Sequence, residues 1–177
     1  MSPEKDWLEV LVLEQDINIK EEEAQKQLLI EESKKLTERA VKLIKLASEA
    51  DKIVNPLFDE LNTKLNLKGE ITKPVSYINF PLKDQEVPEY LGKGNPQWRF
   101  SWKPKYNEEM TIKIEVTEED NNPIFQVLMP LEPDMLKTTT LDSEELKPLI
   151  IQAYRNPFTR KIEFQGGGPI GRFSGWD

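Results

Sequence analysis

The chain is 177 residues long, carries 32 acidic against 24 basic residues for a formal net charge of −8, and contains neither histidine nor cysteine. The lack of cysteine excludes disulfides, thiolate metal sites and thiol nucleophiles, and the lack of histidine excludes a Ser-His-Asp triad, a histidine-ligated zinc and an iron facial triad. An enzyme built on this chain is left with carboxylate, lysine, tyrosine or hydroxyl chemistry, and an acidic surface disfavours nucleic acid and anionic lipid as general partners.

No stretch approaches the roughly 20 consecutive apolar residues of a membrane span, and the opening Met-Ser-Pro-Glu-Lys-Asp lacks the basic-then-apolar order of a signal peptide. With no cysteine to oxidise, the expectation is a cytoplasmic chain without a membrane partner. The charge is concentrated at the start, where Glu4, Asp6, Glu9, Glu14, Asp16, Glu21, Glu22 and Glu23 face only Lys5 and Lys20. That segment suits solubility or a basic protein partner.

Residues 7–14 (Trp-Leu-Glu-Val-Leu-Val-Leu-Glu) are too short a run for periodicity to separate an edge strand from a helical turn. From Asn18 the pattern sharpens. Asn18 with Glu21 three residues on has the form of a capping box, and Glu21 to Glu23 sit where the positive end of a helix favours them, so a helix is expected to begin here. Its apolar positions form two linked rows: Leu29, Leu36, Leu43, Ala50 and Leu57, and, four residues after each member, Ser33, Ala40, Ala47, Val54 and Leu61. Leucine in one row and mostly small residues in the other permits close helix-helix approach, as in a coiled-coil seam. Between residues 43 and 61 the stripe widens with Ile44, Leu46, Ile53 and Phe58, the mark of a face laid on a core.

Pro56 removes a helical hydrogen bond, so a kink or a fresh start is expected there, with Asn55 as cap. Residues 19–54 alone would run about 54 Å at 1.5 Å per residue, longer than the roughly 40 Å diameter of a compact chain of this size. The N-terminal part of the helix should then project or lie against another chain. The alternative is a break near Ser33 that folds the first part back, although nothing there is a strong helix breaker.

After Gly69 the texture becomes β. Residues 71–80 read as a strand with Pro74 near an edge, followed by a loop rich in proline and glycine. Residues 97–103, 110–116 and 123–129 alternate apolar and polar side chains, with a turn at residues 118–122, and predict an antiparallel meander with one polar face. A second helix should start at Asp142, with Glu145 placed for a capping box, and end before Pro157; residues 159–164 read as a last strand. The expected fold is α+β: a long N-terminal amphipathic helix kinked near Pro56, a meander of about four strands, a second helix, a short strand and a glycine-rich tail. By texture the chain divides into residues 1–66, 67–165 and 166–177.

Gly166, Gly168 and Gly171 match the spacing of a dinucleotide fingerprint, but the residues after Gly171 supply neither the helix nor the second strand that binding requires. The tail reads better as a glycine spacer presenting Arg172, Phe173 and Trp176, the residue types that dominate interface energetics. In residues 97–106, aromatics interleave with Arg99, Lys103 and Lys105; on a strand this puts Trp98, Phe100 and Trp102 on one face and the cations on the other, which argues for a core face under a basic one and against base stacking. No phosphate loop, nucleophile elbow or metal-ligand spacing is found, and no cofactor is expected.

These readings favour a non-enzymatic interaction or assembly subunit, or a homo-oligomer, that binds through Leu29, Leu36, Ala40 and Leu43 of the long helix and through Arg172, Phe173 and Trp176 of the tail. A chaperone or inhibitor that masks a basic partner, as a nucleic-acid mimic would, is the first alternative. A carboxylate-dependent enzyme is the second.

Overall fold

A computed structural model describes residues 3–83, 85–130 and 137–163, with side chains from Asp6 onward except that of Lys137. It has the expected α+β order of a long helix, an antiparallel sheet, a later helix and a final strand. The chain divides into two compact units, one of Met1–Lys42 with Leu82–Gly94 and the other of Leu43–Pro81 with Asn95–Asp177.

Helix α1 runs without a break from Pro3 to Leu65, so the expected start at Asn18 is corrected. Residues 7–14, ambiguous by pattern, are its second and third turns. Between Glu4 and Asn55 there is neither proline nor glycine, and the roughly 1 kcal/mol that a cap contributes does not compensate for abandoning a continuous ladder of good helix formers. Ser33 does not interrupt the helix either.

Pro56 also lies inside α1 and begins no new helix. Proline in a helix interior costs about 3 kcal/mol. Here its ring is exposed, as is Lys52, whose carbonyl loses its donor and is left to water. On the opposite side Val54 and Phe58 are fully buried and Leu57 nearly so, and at about 1.5–3 kcal/mol each their burial outweighs the proline. The helix ends where Asn66 takes φ 48°. Asn66 N–H donates to Thr63 O (3.3 Å) and Leu67 N–H to Asn62 O (3.1 Å), a Schellman closure with asparagine in the left-handed position.

Strand β1 (Glu70–Thr72) is shorter than the predicted 71–80, because Pro74, with no N–H to give, turns the chain into the short helix α2 (Val75–Ile78). Gly69, just before β1, is required by space, since a Cβ there would sit 2.5 Å from the Phe100 ring and 2.8 Å from Ser101 O. Asn62 clamps it by accepting from Gly69 N–H (2.9 Å) and donating to Gly69 O (3.3 Å). After the short helix α3 (Tyr90–Lys93) come β2 (Gln97–Lys105), β3 (Glu108–Glu119) and β4 (Asn122–Val127). The β3–β4 turn is two residues long, with Asp120 and Asn121 at φ 50° and 63°, the left-handed pair that a tight hairpin demands.

Strand β5 (Lys137–Thr140) was not foreseen, because Lys-Thr-Thr-Thr shows no alternation. Helix α4 (Ser143–Arg155) starts as predicted, with the Asp142 side chain accepting from Glu144 N–H (2.7 Å) and Glu145 N–H (3.2 Å). Glu145 does not reach back to complete a capping box; its carboxylate accepts the hydroxyls of Thr139 (2.8 Å) and Thr140 (2.5 Å) and ties the helix to β5. Strand β6 (Phe158–Lys161) closes the described fold.

The six-stranded sheet has the order β1-β2-β3-β4-β5, and β6 pairs with β3. Cross-strand partners Trp98 and Ile114, Phe100 and Ile112, Ile114 and Val127, Val116 and Phe125 put one face of β2, β3 and β4 into the core. Phe58 of α1, Phe100, Trp102 and Tyr154 of α4 stack in series at centroid distances of 5.5, 5.6 and 5.4 Å, each pair contributing about 0.5–1.5 kcal/mol beyond area burial. Buried Trp98 donates its indole N–H to Asp51 (2.9 Å), whose other oxygen is 3.6 Å from Lys73 Nζ.

Candidate functional site

Every residue of α1 from Asp6 to Glu32 is exposed. Among them Trp7, Leu8, Val10, Leu11, Val12, Leu13, Ile17, Ile19, Leu28, Leu29 and Ile30 retain between 47% and 65% of their surface. At 3.6 residues per turn, Leu8, Val12 and Ile19 share one side, while Val10, Leu13, Ile17 and Leu28 share nearly the opposite one. Glu9, Asp16 and Glu23, spaced by seven residues, run between them. A surface helix ordinarily has a single apolar stripe facing one neighbour. This segment has two, separated on one side by that acid row and on the other by a mixed strip in which Trp7, Leu11 and Leu29 lie among Glu14, Glu21 and Glu22.

The residues predicted to bind a partner are dispersed. Leu29 is exposed at 65%, Leu36 is half-buried, and Ala40 and Leu43 are buried at 0% and 1%. Arg172, Phe173 and Trp176 lie outside the described residues. Seven-residue steps back from Leu29 and Ser33 meet Glu22, Gln15 and Lys26 before they reach Leu8, Ile19 and Val12, so the heptad rows are interrupted ahead of the exposed apolar run.

Within the first unit, the segment Leu82–Gly94 seats on the helix stretch just after the exposed run. The Arg39 guanidinium donates to Gly92 O (2.5 Å) and Gly94 O (2.8 Å), and the Ser33 hydroxyl donates to the Glu89 carboxylate. A Cβ on Gly92 would lie 2.0 Å from Leu36 O, so only glycine permits this approach.

Described residues of the second unit form two concave surfaces of note. One, of about 320 Å³, is apolar, formed by Leu57, Leu61 and Leu65 of α1 with Ile150 and Ile151 of α4 and edged by Glu60, Lys64 and Lys147. Lys64 pairs with Glu60 (3.2 Å) and Lys147 with Glu144 (2.7 Å); the Glu144 hydrogen bond and charge hold the Lys147 ammonium above its usual range. The hydroxyls of Thr140 and Thr139 hold the Glu145 carboxyl below its own.

The other concave surface lies on the sheet face opposite the core, where β2, β3 and β6 run side by side. It measures about 300 Å³ and is lined by Arg99, Ser101, Thr111, Lys113, Phe158 and Arg160, among others. Arg99 and Lys113 are direct cross-strand partners. Like charges so placed cost about 0.2–1 kcal/mol.

Among the described residues no group of three or more acids forms a metal cage, and no helix is long and apolar enough to cross a membrane. No protein-family model, no curated protein and no solved structure matches the chain.

Proposed function

We propose that this protein is a non-enzymatic assembly subunit that engages a helical partner through residues 7–30 of α1. The supporting observation is the unbroken exposure of Asp6 to Glu32 with apolar side chains on two sides of the helix. Apolar surface is stabilised by about 25 cal/mol per Å² when withdrawn from water, and two opposed stripes favour a bundle over a single pairing. The row of Glu9, Asp16 and Glu23 between the stripes sets the chemistry of the partner: a helix of another protein whose flanking positions carry lysine and arginine. Parallel self-pairing would set Glu9, Asp16 and Glu23 of one copy beside the same acids of the next, a repulsive arrangement. The tail residues Arg172, Phe173 and Trp176 are a second contact in this reading. A reducing, cytoplasmic setting suits a chain without cysteine, and the acidic balance leaves nucleic acid disfavoured as a ligand.

The test compares the full chain with a Leu13→Asp/Ile17→Asp variant by affinity capture across a salt series and by light scattering. The reading expects a defined basic partner that is released by salt and lost with the variant, while circular dichroism stays unchanged. Equal capture by both chains, or binding indifferent to salt, removes it.

A further inference from the structure

We infer that the groove on the outer face of the sheet, between β2, β3 and β6, binds a phosphate monoester in its dianionic form, with the ester's ring or alkyl group laid along Phe158. Arg99 and Lys113 stand opposite each other across the β2–β3 ladder, and no carboxylate of the described residues lies within ion-pair distance of either. The other charges of the groove cancel, since Arg160 is paired with Glu109 at 3.2 Å. Glu115, one pair along on the same face, is taken up by hydrogen bonds from Gln97 (2.7 Å) and Asn95 (3.4 Å), so a chain with an excess of eight negative charges keeps two cations without a direct ion pair side by side in one concave spot.

The neighbours point the two cations. Gln97 accepts from Arg99 Nε (2.6 Å) and is itself held by Glu115 (2.7 Å), leaving the terminal nitrogens of the guanidinium as a fork for an oxyanion. The Lys113 ammonium rests 4.3 Å from the Phe158 ring centroid. On the floor, Ser101 and Thr111 share one hydrogen bond of 2.9 Å, so one of their two hydroxyl protons remains to donate to a bound oxygen. Two cations without a direct ion pair match a phosphomonoester dianion better than a carboxylate, and the phenyl ring supplies an apolar wall that free phosphate cannot use.

The experiment is a backbone amide NMR titration of the full chain at physiological salt with phenyl phosphate, inorganic phosphate and benzoate. Phenyl phosphate should shift the amides of residues 99–101, 111–113 and 158–160, bind more tightly than either of the other two, and lose about tenfold in affinity with Arg99→Gln or with Lys113→Gln. Both variants remove a like-charge contact and should stay folded. The second phosphate ionisation lies near pH 6, and the chain has no histidine to titrate beside it; affinity for phenyl phosphate should therefore rise between pH 5.5 and 7.5 while that for benzoate stays flat. The inference is overturned by shifts scattered over the lysines of α1, by benzoate binding as tightly as phenyl phosphate, or by full affinity in the Arg99→Gln/Lys113→Gln double variant.

Discussion

Residues 6–32 and residues 43–58 belong to the same helix and are both rich in large apolar side chains, but they meet opposite surroundings. In the later stretch Ala47, Ala50, Val54 and Phe58 are all at 0% exposure, with Phe58 stacked on Phe100 of the sheet. In the earlier stretch nothing among the described residues covers the apolar positions. The difference lies in where those residues fall around the helix axis. Small residues fill part of the later stripe and let the backbone approach the sheet, whereas bulky ones occupy two sides of the earlier stretch and would need two neighbours. Apolar content alone therefore says little about burial.

The sharpest way to break the comparison is to place one charge in each stretch. Ala47→Asp would bury an unpaired carboxylate against the core and is expected to unfold the second unit, while Leu13→Asp should leave the melting temperature nearly unchanged. Circular dichroism melts of the two variants measure this directly. Equal destabilisation would mean that the exposed stretch contributes to the fold after all.

A smaller effect is expected from truncating the core by size. Phe100→Ala removes a ring stacked on both Phe58 and Trp102 and should cost about 3–5 kcal/mol in denaturant unfolding. Ile17→Ala in the exposed stretch should stay within about 0.5 kcal/mol. Next comes Gly92→Ala, whose added methyl meets the Leu36 carbonyl. Overpacking of this kind costs about 1–3 kcal/mol. It should loosen residues 82–94 from the helix, which limited proteolysis would register as new cleavage there with the sheet intact.

The hydrogen bond between Trp98 and Asp51 fastens helix to sheet, and Asp51→Ala tests it. The change strands the buried Trp98 indole N–H and is expected to cost about 1–3 kcal/mol. Smallest is the pH effect at the start of α4. The Glu145 carboxyl is held below its ordinary 4.5 by Thr140 and Thr139, so its contribution is complete above that value and is lost as pH falls through the lower folded-state pKa. A Glu145→Gln variant should therefore match the parent chain in acid and be slightly less stable at neutral pH. The group is exposed, so the difference should be small.

The elements that could be read from sequence are those in which a local signal and the tertiary contacts agree. Strands β2, β3 and β4 alternate because one face is core and the other solvent, and α4 begins at Asp142 because a carboxylate there satisfies two backbone donors. The readings that failed were decided by contacts distant in sequence. Pro56 stays helical because Val54, Leu57 and Phe58 are buried on the other side. Residues 73–80 leave the sheet because β1 finds partners only at residues 99–101 of β2, and β5 is a strand only because β4 offers it an edge. Leu29 and Leu36 were identified by their heptad spacing, but no local pattern could indicate that Gly92 would seat against the backbone of Leu36. The basic face of β2 was visible as alternation, whereas the pairing of Arg99 with Lys113 and the arrival of Phe158 beside them depend on register across three strands.

Strand β3 is bonded by β2 along one edge and by both β6 and β4 along the other. Its hairpins to β2 and β4 close over very short turns, while β1 and β6 can join only after much longer stretches of chain have been brought together, at a correspondingly greater entropic cost. The three-stranded meander is thus the natural first part of the sheet to form and the last to come apart. In native-state hydrogen exchange the amides of Ile112, Ile114 and Val116 should be the slowest in the protein, with those of β1 and β6 opening earlier at a fraction of the global unfolding free energy.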